Sequence, residues 1–122
     1  LLLEEGLVDR AYLAERCEGL AELERFAAEL DLAEALRTCE LEEATVRAAA
    51  RRIGGGPTLF VTGLGLSEVA QGVDGVLMLC TLAMLTGSIG RVGAGMLPLR
   101  GQNNVQGAAD MGGMPDRVTG YQ

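Results

Sequence analysis

Residues 57–87 constrain the fold most strongly, because a short strand pattern there leads through glycines into a long apolar helix pattern. The sequence "PTLFVTG" has β-branched and aromatic residues between Pro57 and Gly63. It predicts a strand buried on both faces, as in a parallel sheet. The residues from about Val73 to Leu85 are apolar nearly all round, so we expect a helix deep in the core. A strand, a glycine turn and a buried helix form half of a βαβ unit.

The sequence before this unit has the three- and four-residue apolar spacing that is typical of helices. Asp9 is suited to cap the first helix, and Arg51 and Arg52 followed by glycines are suited to end the last one. The first predicted helix runs from Val8 to Cys17. A second helix begins at Leu20 and is followed by a short third one that ends at Leu36. The last runs from about Cys39 or Glu40 to Ile53.

The sequence after the unit, residues 88–122, has a glycine or proline every few residues and predicts a long irregular segment, which either binds a ligand or is disordered. The fold class is therefore α/β, a helix-rich fragment of a Rossmann-like doubly wound domain. We expect four to five helices, a short parallel sheet element and a Gly-rich C-terminal segment. The 122 residues fit a single domain fragment, with helical residues 8–53, a strand–turn–helix at 57–87 and the Gly-rich segment.

Composition narrows the class of partner. A net charge of −7 argues against nucleic acid as the main partner. No apolar run reaches the roughly 18 residues that cross a bilayer, so we expect no membrane segment and a cytoplasmic location, with the periplasm as the alternative. The chain has no His and 3 widely spaced Cys, which predicts no metal ligands within it.

The turn "GLGLSE", residues 63–68, is the first candidate for binding. It lies between the predicted strand and helix, where a backbone can approach a phosphate or nucleotide. It lacks the third glycine of the GxGxxG fingerprint in register. The alternative is a tight turn that needs glycine only for its conformational freedom.

The stretch "LRGQNNVQGAADMGG" is the second candidate, because it sets Arg100 against four amide side chains. An arginine offers a planar fork of donors that suits a carboxylate, and amides can both donate to and accept from a heterocycle. The alternative is an ordinary solvated polar loop. The four amides are Gln102, Asn103, Asn104 and Gln106.

These motifs resemble the interior of the large subunit of molybdenum- or tungsten-dependent formate dehydrogenases, which are bis-molybdopterin guanine dinucleotide oxidoreductases. The likeness runs from about Thr58 to Gln122, and "RGQNNVQGAxDMG" is its specific motif. Related nitrate reductases share a GQ turn but continue differently, so nitrate reductase is one alternative. A free-standing nucleotide-binding or interaction module is another.

The resemblance implies roles for individual residues. Arg100 matches the arginine beside the metal that holds the substrate carboxylate, and would be the catalytic residue. The turn at 63–68 matches a loop that touches a guanine dinucleotide, in which the family usually has Gln where this chain has Glu68. The implied cofactor-binding residues are Gly63, Leu64, Gly65 and Glu68 on that loop, and Gly101, Gln102 and Asn103 beside the metal end of the pterins.

The resemblance also implies cofactors, partners and a reaction. The cofactor is a molybdenum or tungsten bis-molybdopterin guanine dinucleotide, with a [4Fe-4S] cluster in the full-length subunit that has no ligands in this chain. The reaction is oxidation of formate to CO2. The implied partners are the remainder of the catalytic subunit and an electron-transfer iron-sulfur or flavin subunit. Because the family's metal-ligand Cys or selenocysteine and its adjoining His are absent from these residues, we expect no activity from this chain alone.

Overall fold

The computed structural model describes residues 1–121 and confirms a mixed α/β fold, with six helices in that range where four to five were expected. None of these helices has both the length and the apolar character needed to cross a bilayer. The helices are α1 (Arg10–Arg16), α2 (Leu20–Glu29), α3 (Leu32–Thr38), α4 (Glu43–Ile53), α5 (Gly72–Leu85) and α6 (Val105–Asp110), and the strands are β1 (Leu59–Thr62) and β2 (Gly95–Pro98).

The first four helices lie where apolar spacing placed them. The Asp9 side chain caps α1 by accepting a hydrogen bond from the Tyr12 N–H at 2.9 Å. The short helix α3 is separate from α2 and begins at its own cap, Asp31. Helix α4 begins at Glu43, a few residues later than expected. Its last turn carries Arg51 and Arg52, as predicted.

A small apolar core joins these helices to α5. Its buried members come from the N-terminal turn, α1, α4 and α5, so each element contributes about one side chain. Glu5 fastens the N-terminal turn to α4 by ion pairs to Arg51 and Arg47 at 2.7 and 3.0 Å. Hydrogen bonds from Arg51 and then Arg47 lower the pKa of Glu5. The buried core residues are Leu2, Leu13, Ala50 and Leu85.

The two strands are parallel and are joined through α5, so the chain completes the βαβ unit that the sequence half predicted. The register pairs Phe60 with Met96. The expectation of an irregular segment after residue 87 was wrong for β2 and α6. Gly95 and Pro98 bound only two apolar residues in β2, which is too short to show the alternation that marks a strand.

The outer faces of the unit are exposed, contrary to the expectation of a strand buried on both faces and a helix deep in the core. Phe60 is buried, but Leu59 and Val61 are 45% and 52% exposed, and Val73 and Leu77 on α5 are 76% and 57% exposed. The physical reason is that too few layers of secondary structure pack on this unit. Among residues 1–121 the sheet has two strands, and no second layer covers the far side of the sheet or of α5.

A buried group of hydroxyls closes the amino end of the sheet. Ser88 is 0% exposed, and its Oγ accepts from the Thr58 N–H at 2.9 Å and lies 2.7 Å from Thr86 Oγ1. Thr86 Oγ1 also reaches the Leu82 carbonyl at 3.0 Å. The main chain adds a bond from the Gly95 N–H to the Thr58 carbonyl at 3.0 Å. These bonds fix where β1 and β2 begin.

Candidate functional site

The two glycine turns that the sequence singled out lie side by side at the carboxyl edge of the sheet. Parallel strands end at the same edge, and this is where α/β proteins bind ligands. The Leu99 N–H donates to the Thr62 carbonyl at 2.7 Å, which extends the pairing one residue past β2. A Cβ at Gly101 would lie 3.1 Å from Leu64 Cδ1, so the turns are in contact. We call residues 63–68 and 100–103 the carboxyl-edge site.

The first turn of the site leaves its backbone open. It forms one turn of 3-10 helix, Leu64–Leu66, and the Glu68 N–H donates back to the Leu64 carbonyl at 2.9 Å. A Cβ at Gly63 or Gly65 would meet no other atom within 4 Å. Packing therefore does not require glycine at either position, and the absence of side chains leaves the main chain accessible to a ligand.

The same turn joins α5 through a close backbone approach. A Cβ at Gly72, the first residue of α5, would lie 2.4 Å from the Ser67 carbonyl oxygen. Only glycine allows the main chain to come this near. The approach fixes the inner wall of the carboxyl-edge site against α5.

Arg100 lies exposed in the second turn and is held from its C-terminal side. Its Nη2 donates to Gln106 Oε1 at 3.3 Å, and Gln106 Nε2 donates to Asp110 Oδ1 at 3.3 Å. The site prediction did not include Gln106 or Asp110. Their four-residue spacing, which places both on one side of α6, is the signal that could have found them.

The four amides of the second turn divide into two pairs with different surroundings. Asn104 precedes α6 in the left-handed region, with φ 59°, which Asn tolerates better than most residues. Its side chain lies against Gly107, where a Cβ would be 2.4 Å from Asn104 Oδ1. All four amides are exposed, Gln102 and Asn103 at the carboxyl edge. Asn104 and Gln106 contact the segment itself, at Gly107 and at Arg100 respectively.

A third glycine-rich stretch, around Arg91, is used for structure. Arg91 Nη2 pairs with Asp9 Oδ2 at 2.6 Å, and the Asp9 N–H donates to the Leu85 carbonyl at 2.8 Å. The Tyr12 N–H and then the Arg91 guanidinium lower the pKa of Asp9. This joint lies on the α1 side of the molecule and ties the loop after α5 to the first helix.

Among the residues that the structure describes, no three His, Cys, Asp or Glu side chains gather as a metal site. The three cysteines are free thiols, with Cys39 exposed and Cys17 and Cys80 half-buried. The chemistry that the carboxyl-edge site offers is thus anion binding by Arg100, amide hydrogen bonds and open main chain.

The comparisons with known proteins cover the whole chain. It is 40% identical over 100% of its length to "F420-dependent formate dehydrogenase 2 subunit alpha" of Methanococcus maripaludis, and spans 18% of that protein. It is 39% identical over 100% of its length to "Formate dehydrogenase H" of Escherichia coli, spanning 17%. It is 36% identical over 99% of its length to "Probable oxidoreductase YjgC" of Bacillus subtilis, spanning 12%. No family model matches the chain.

A βαβ unit with two exposed turns at its carboxyl edge defines this chain as a segment of an α/β protein. The end-to-end similarity goes further. The chain belongs to the family of formate dehydrogenase alpha subunits. It spans 12–18% of the length of the relatives named above, so it corresponds to a small part of such a subunit.

Proposed function

We propose that this chain is the part of a formate dehydrogenase catalytic subunit that holds formate and one side of a molybdenum or tungsten bis-molybdopterin guanine dinucleotide. One observation supports the proposal above the others. The Gly63 turn and the Arg100 turn meet at one sheet edge, in a chain that matches formate dehydrogenases from end to end.

The residues present fit such a cofactor in their chemistry. Gly63 and Gly65 leave the backbone of the first turn open, Gly101 is exposed beside Leu64, and Gln102 and Asn103 offer amide donors and acceptors next to them. The exposed Glu68 carboxylate accepts hydrogen bonds, and a guanine base carries an amino donor at N2. When bound, the cofactor would accept the two electrons of the oxidation.

Arg100 is the residue we assign to the substrate. Its guanidinium can bind both oxygens of formate through two parallel charge-assisted hydrogen bonds, which fixes the direction of the C–H bond. Oxidation then releases CO2, one proton and two electrons from formate. The role of Arg100 is to bind and orient the anion. We expect the 122 residues by themselves not to oxidise formate, since they hold one wall of the site.

The full-length protein that carries this chain provides the test. Purified without oxygen, it should reduce an artificial electron-accepting dye only when formate is added, and elemental analysis should find molybdenum or tungsten. In that protein the remainder of the catalytic subunit completes the site, and an electron-transfer iron-sulfur or flavin subunit is the expected partner and should co-purify. A protein that reduces nitrate in place of oxidising formate would replace the proposal with the nitrate reductase reading. A protein free of both metals that binds GTP or GDP in calorimetry would support a nucleotide-binding module.

A further inference from the structure

The side chains of Arg100, Gln106 and Asp110 form a directed chain of hydrogen bonds across the second turn. Arg100 Nη2 lies 3.3 Å from Gln106 Oε1, and Gln106 Nε2 lies 3.3 Å from Asp110 Oδ1. Gln106 and Asp110 are one helical turn apart on α6. These bonds therefore connect the Arg100 guanidinium to a helix that begins five residues further on.

Only one orientation of the Gln106 amide satisfies both neighbours. A guanidinium can only donate and an ionised carboxylate can only accept, so the amide oxygen must face Arg100 and the amide nitrogen must face Asp110. A rotated amide would place nitrogen against guanidinium nitrogen and oxygen against carboxylate oxygen. Asp110 thus fixes which end of Gln106 is presented to Arg100.

We infer that Gln106, oriented by Asp110, is a positioning residue that aims Arg100 at the substrate carboxylate. The inference rests on the proposed function. One N–H of Arg100 is used on Gln106, which leaves its other donors for an anion. Because the bond to Gln106 already restricts the flexible arginine side chain, less side-chain entropy is lost when the substrate binds.

The neutrality of Gln106 is part of the inference. It separates the negative charge of Asp110 from the guanidinium by the length of one amide. A carboxylate at position 106 would pair with Arg100 directly and compete with the substrate anion for it. It would also lie one helical turn from the Asp110 carboxylate, a like-charge pair that lowers helix stability only slightly, so a large change in KM reports on Arg100.

The experiment measures formate KM and kcat in the full-length enzyme for Gln106→Ala, Gln106→Glu and Asp110→Asn. Gln71→Ala is the matched control, because Gln71 is exposed and its side chain makes no capping bond to α5. We expect Gln106→Ala to raise KM roughly tenfold, since a hydrogen bond to a charged group is lost, with kcat within about twofold. Gln106→Glu should raise KM further. Asp110→Asn should raise it less, and the control should match the parent.

Two checks separate positioning from folding and from the proposed function. In an Arg100→Lys background, Gln106→Ala should add little to KM, because the group it positions is gone. Metal content should stay that of the parent in all variants. Parent-like KM in both Gln106 variants, with Arg100→Lys still impaired, would overturn the inference and leave the proposed function standing. Failure of the parent enzyme to oxidise formate would overturn both.

Discussion

The two ends of the β1–β2 pair are built in opposite ways. At the amino end, Thr58, Thr86 and Ser88 are bonded to one another, and Ser88 is fully buried. At the carboxyl end, the Gly63 and Arg100 turns are exposed, and the Leu64 side chain lies against Gly101. One end satisfies its polar groups internally, and the other presents them outward.

The difference indicates how a short βαβ unit can hold a site. A buried hydroxyl network fixes the strand starts, and the strands carry that order to their far ends, where the turns can stay open for a ligand. We therefore expect variants at the amino end to change stability, and variants at the carboxyl-edge site to change cofactor or substrate binding.

We expect the largest loss of stability from a variant at the carboxyl end, Gly72→Ala, which is an exception to the pattern above. Gly72→Ala lies beside the carboxyl-edge site, yet its Cβ would be 2.4 Å from the Ser67 carbonyl oxygen, and backbone cannot move aside as a side chain can. We expect the free energy of unfolding to fall by about 2–3 kcal/mol. Chemical denaturation of the protein measures it.

Gly75→Ala on the same helix is the control for that change. Its Cβ would meet Leu66 Cδ1 at 3.1 Å, the flexible end of a side chain. Since Ala is the better helix former, we expect a neutral or stabilising effect of up to about 1 kcal/mol. Equal losses for Gly72→Ala and Gly75→Ala would contradict the close approach of Ser67 to α5.

Ser88→Ala tests the amino end of the comparison. The substitution leaves the half-buried Thr58 N–H without its acceptor and removes the partner of the buried Thr86 hydroxyl, which costs about 1–3 kcal/mol of unfolding free energy. Ser67→Ala is the control, because that hydroxyl is exposed and bonds the nearby Leu64 carbonyl at 3.1 Å. We expect the control to stay within about 0.5 kcal/mol of the parent. Metal content should be unchanged in Ser88→Ala. A loss of metal would contradict the expectation that variants at the amino end change stability alone.

Asp9→Asn tests the ion pair between α1 and the loop after α5 through its pH dependence. Asn can still cap α1, but it loses the charge that pairs with Arg91. The folded-state pKa of Asp9 lies below its ordinary value of 3.8, so the ionised form stabilises the fold above about that pH. That contribution disappears as the pH falls through the folded pKa. Thermal unfolding should show Asp9→Asn less stable at pH 7 and the difference closing below pH 3.8.

Asp31→Asn provides the control for that experiment. Asp31 caps α3 by accepting from the Glu34 N–H at 2.9 Å, which is the bond that Asp9 makes to α1. It has no ion pair among those found in residues 1–121. A pH-dependent difference as large in Asp31→Asn as in Asp9→Asn would show that capping, and not the Arg91 pair, is responsible.

Gly101→Ala has the smallest expected effect on stability. Its Cβ would meet only the flexible end of Leu64, at 3.1 Å, so we expect a change within about 0.5 kcal/mol. The same methyl group would displace the Leu64 side chain within the carboxyl-edge site. We therefore expect a lower metal content in the full-length protein, measured by elemental analysis. A large stability loss with full metal content would reverse the assignment of this turn.

Elements determined by residues close together in the sequence were predicted correctly, and features that depend on contacts with distant parts of the chain were missed. The Asp9 cap and the stripe of α4 were readable because caps and amphipathic spacing act within one helix. Strand β2 was missed because it is defined by its pairing with β1 across α5. The burial of β1 and α5 was overestimated, since an apolar sequence does not say how many layers surround it.

The site could be predicted in part for the same reason. The resemblance gave candidate roles to the Gly63 turn and Arg100, and their contact follows from the parallel pairing of two strands, one of which had not been found. The Gln106–Asp110 bond depends on α6, which lies in the segment expected to be irregular.

The most direct test of the role of Arg100 in binding formate is the formate dependence of Arg100→Lys in the full-length enzyme. Lysine keeps the charge but loses the planar fork, so we expect a fall in kcat/KM of about 100-fold or more with normal metal content. Arg117→Lys, whose side chain lies exposed with its nitrogen 3.8 Å from the adjacent Asp116, is the control and should match the parent. Parent-like turnover by Arg100→Lys at low formate concentration would contradict the claim that this guanidinium binds the substrate.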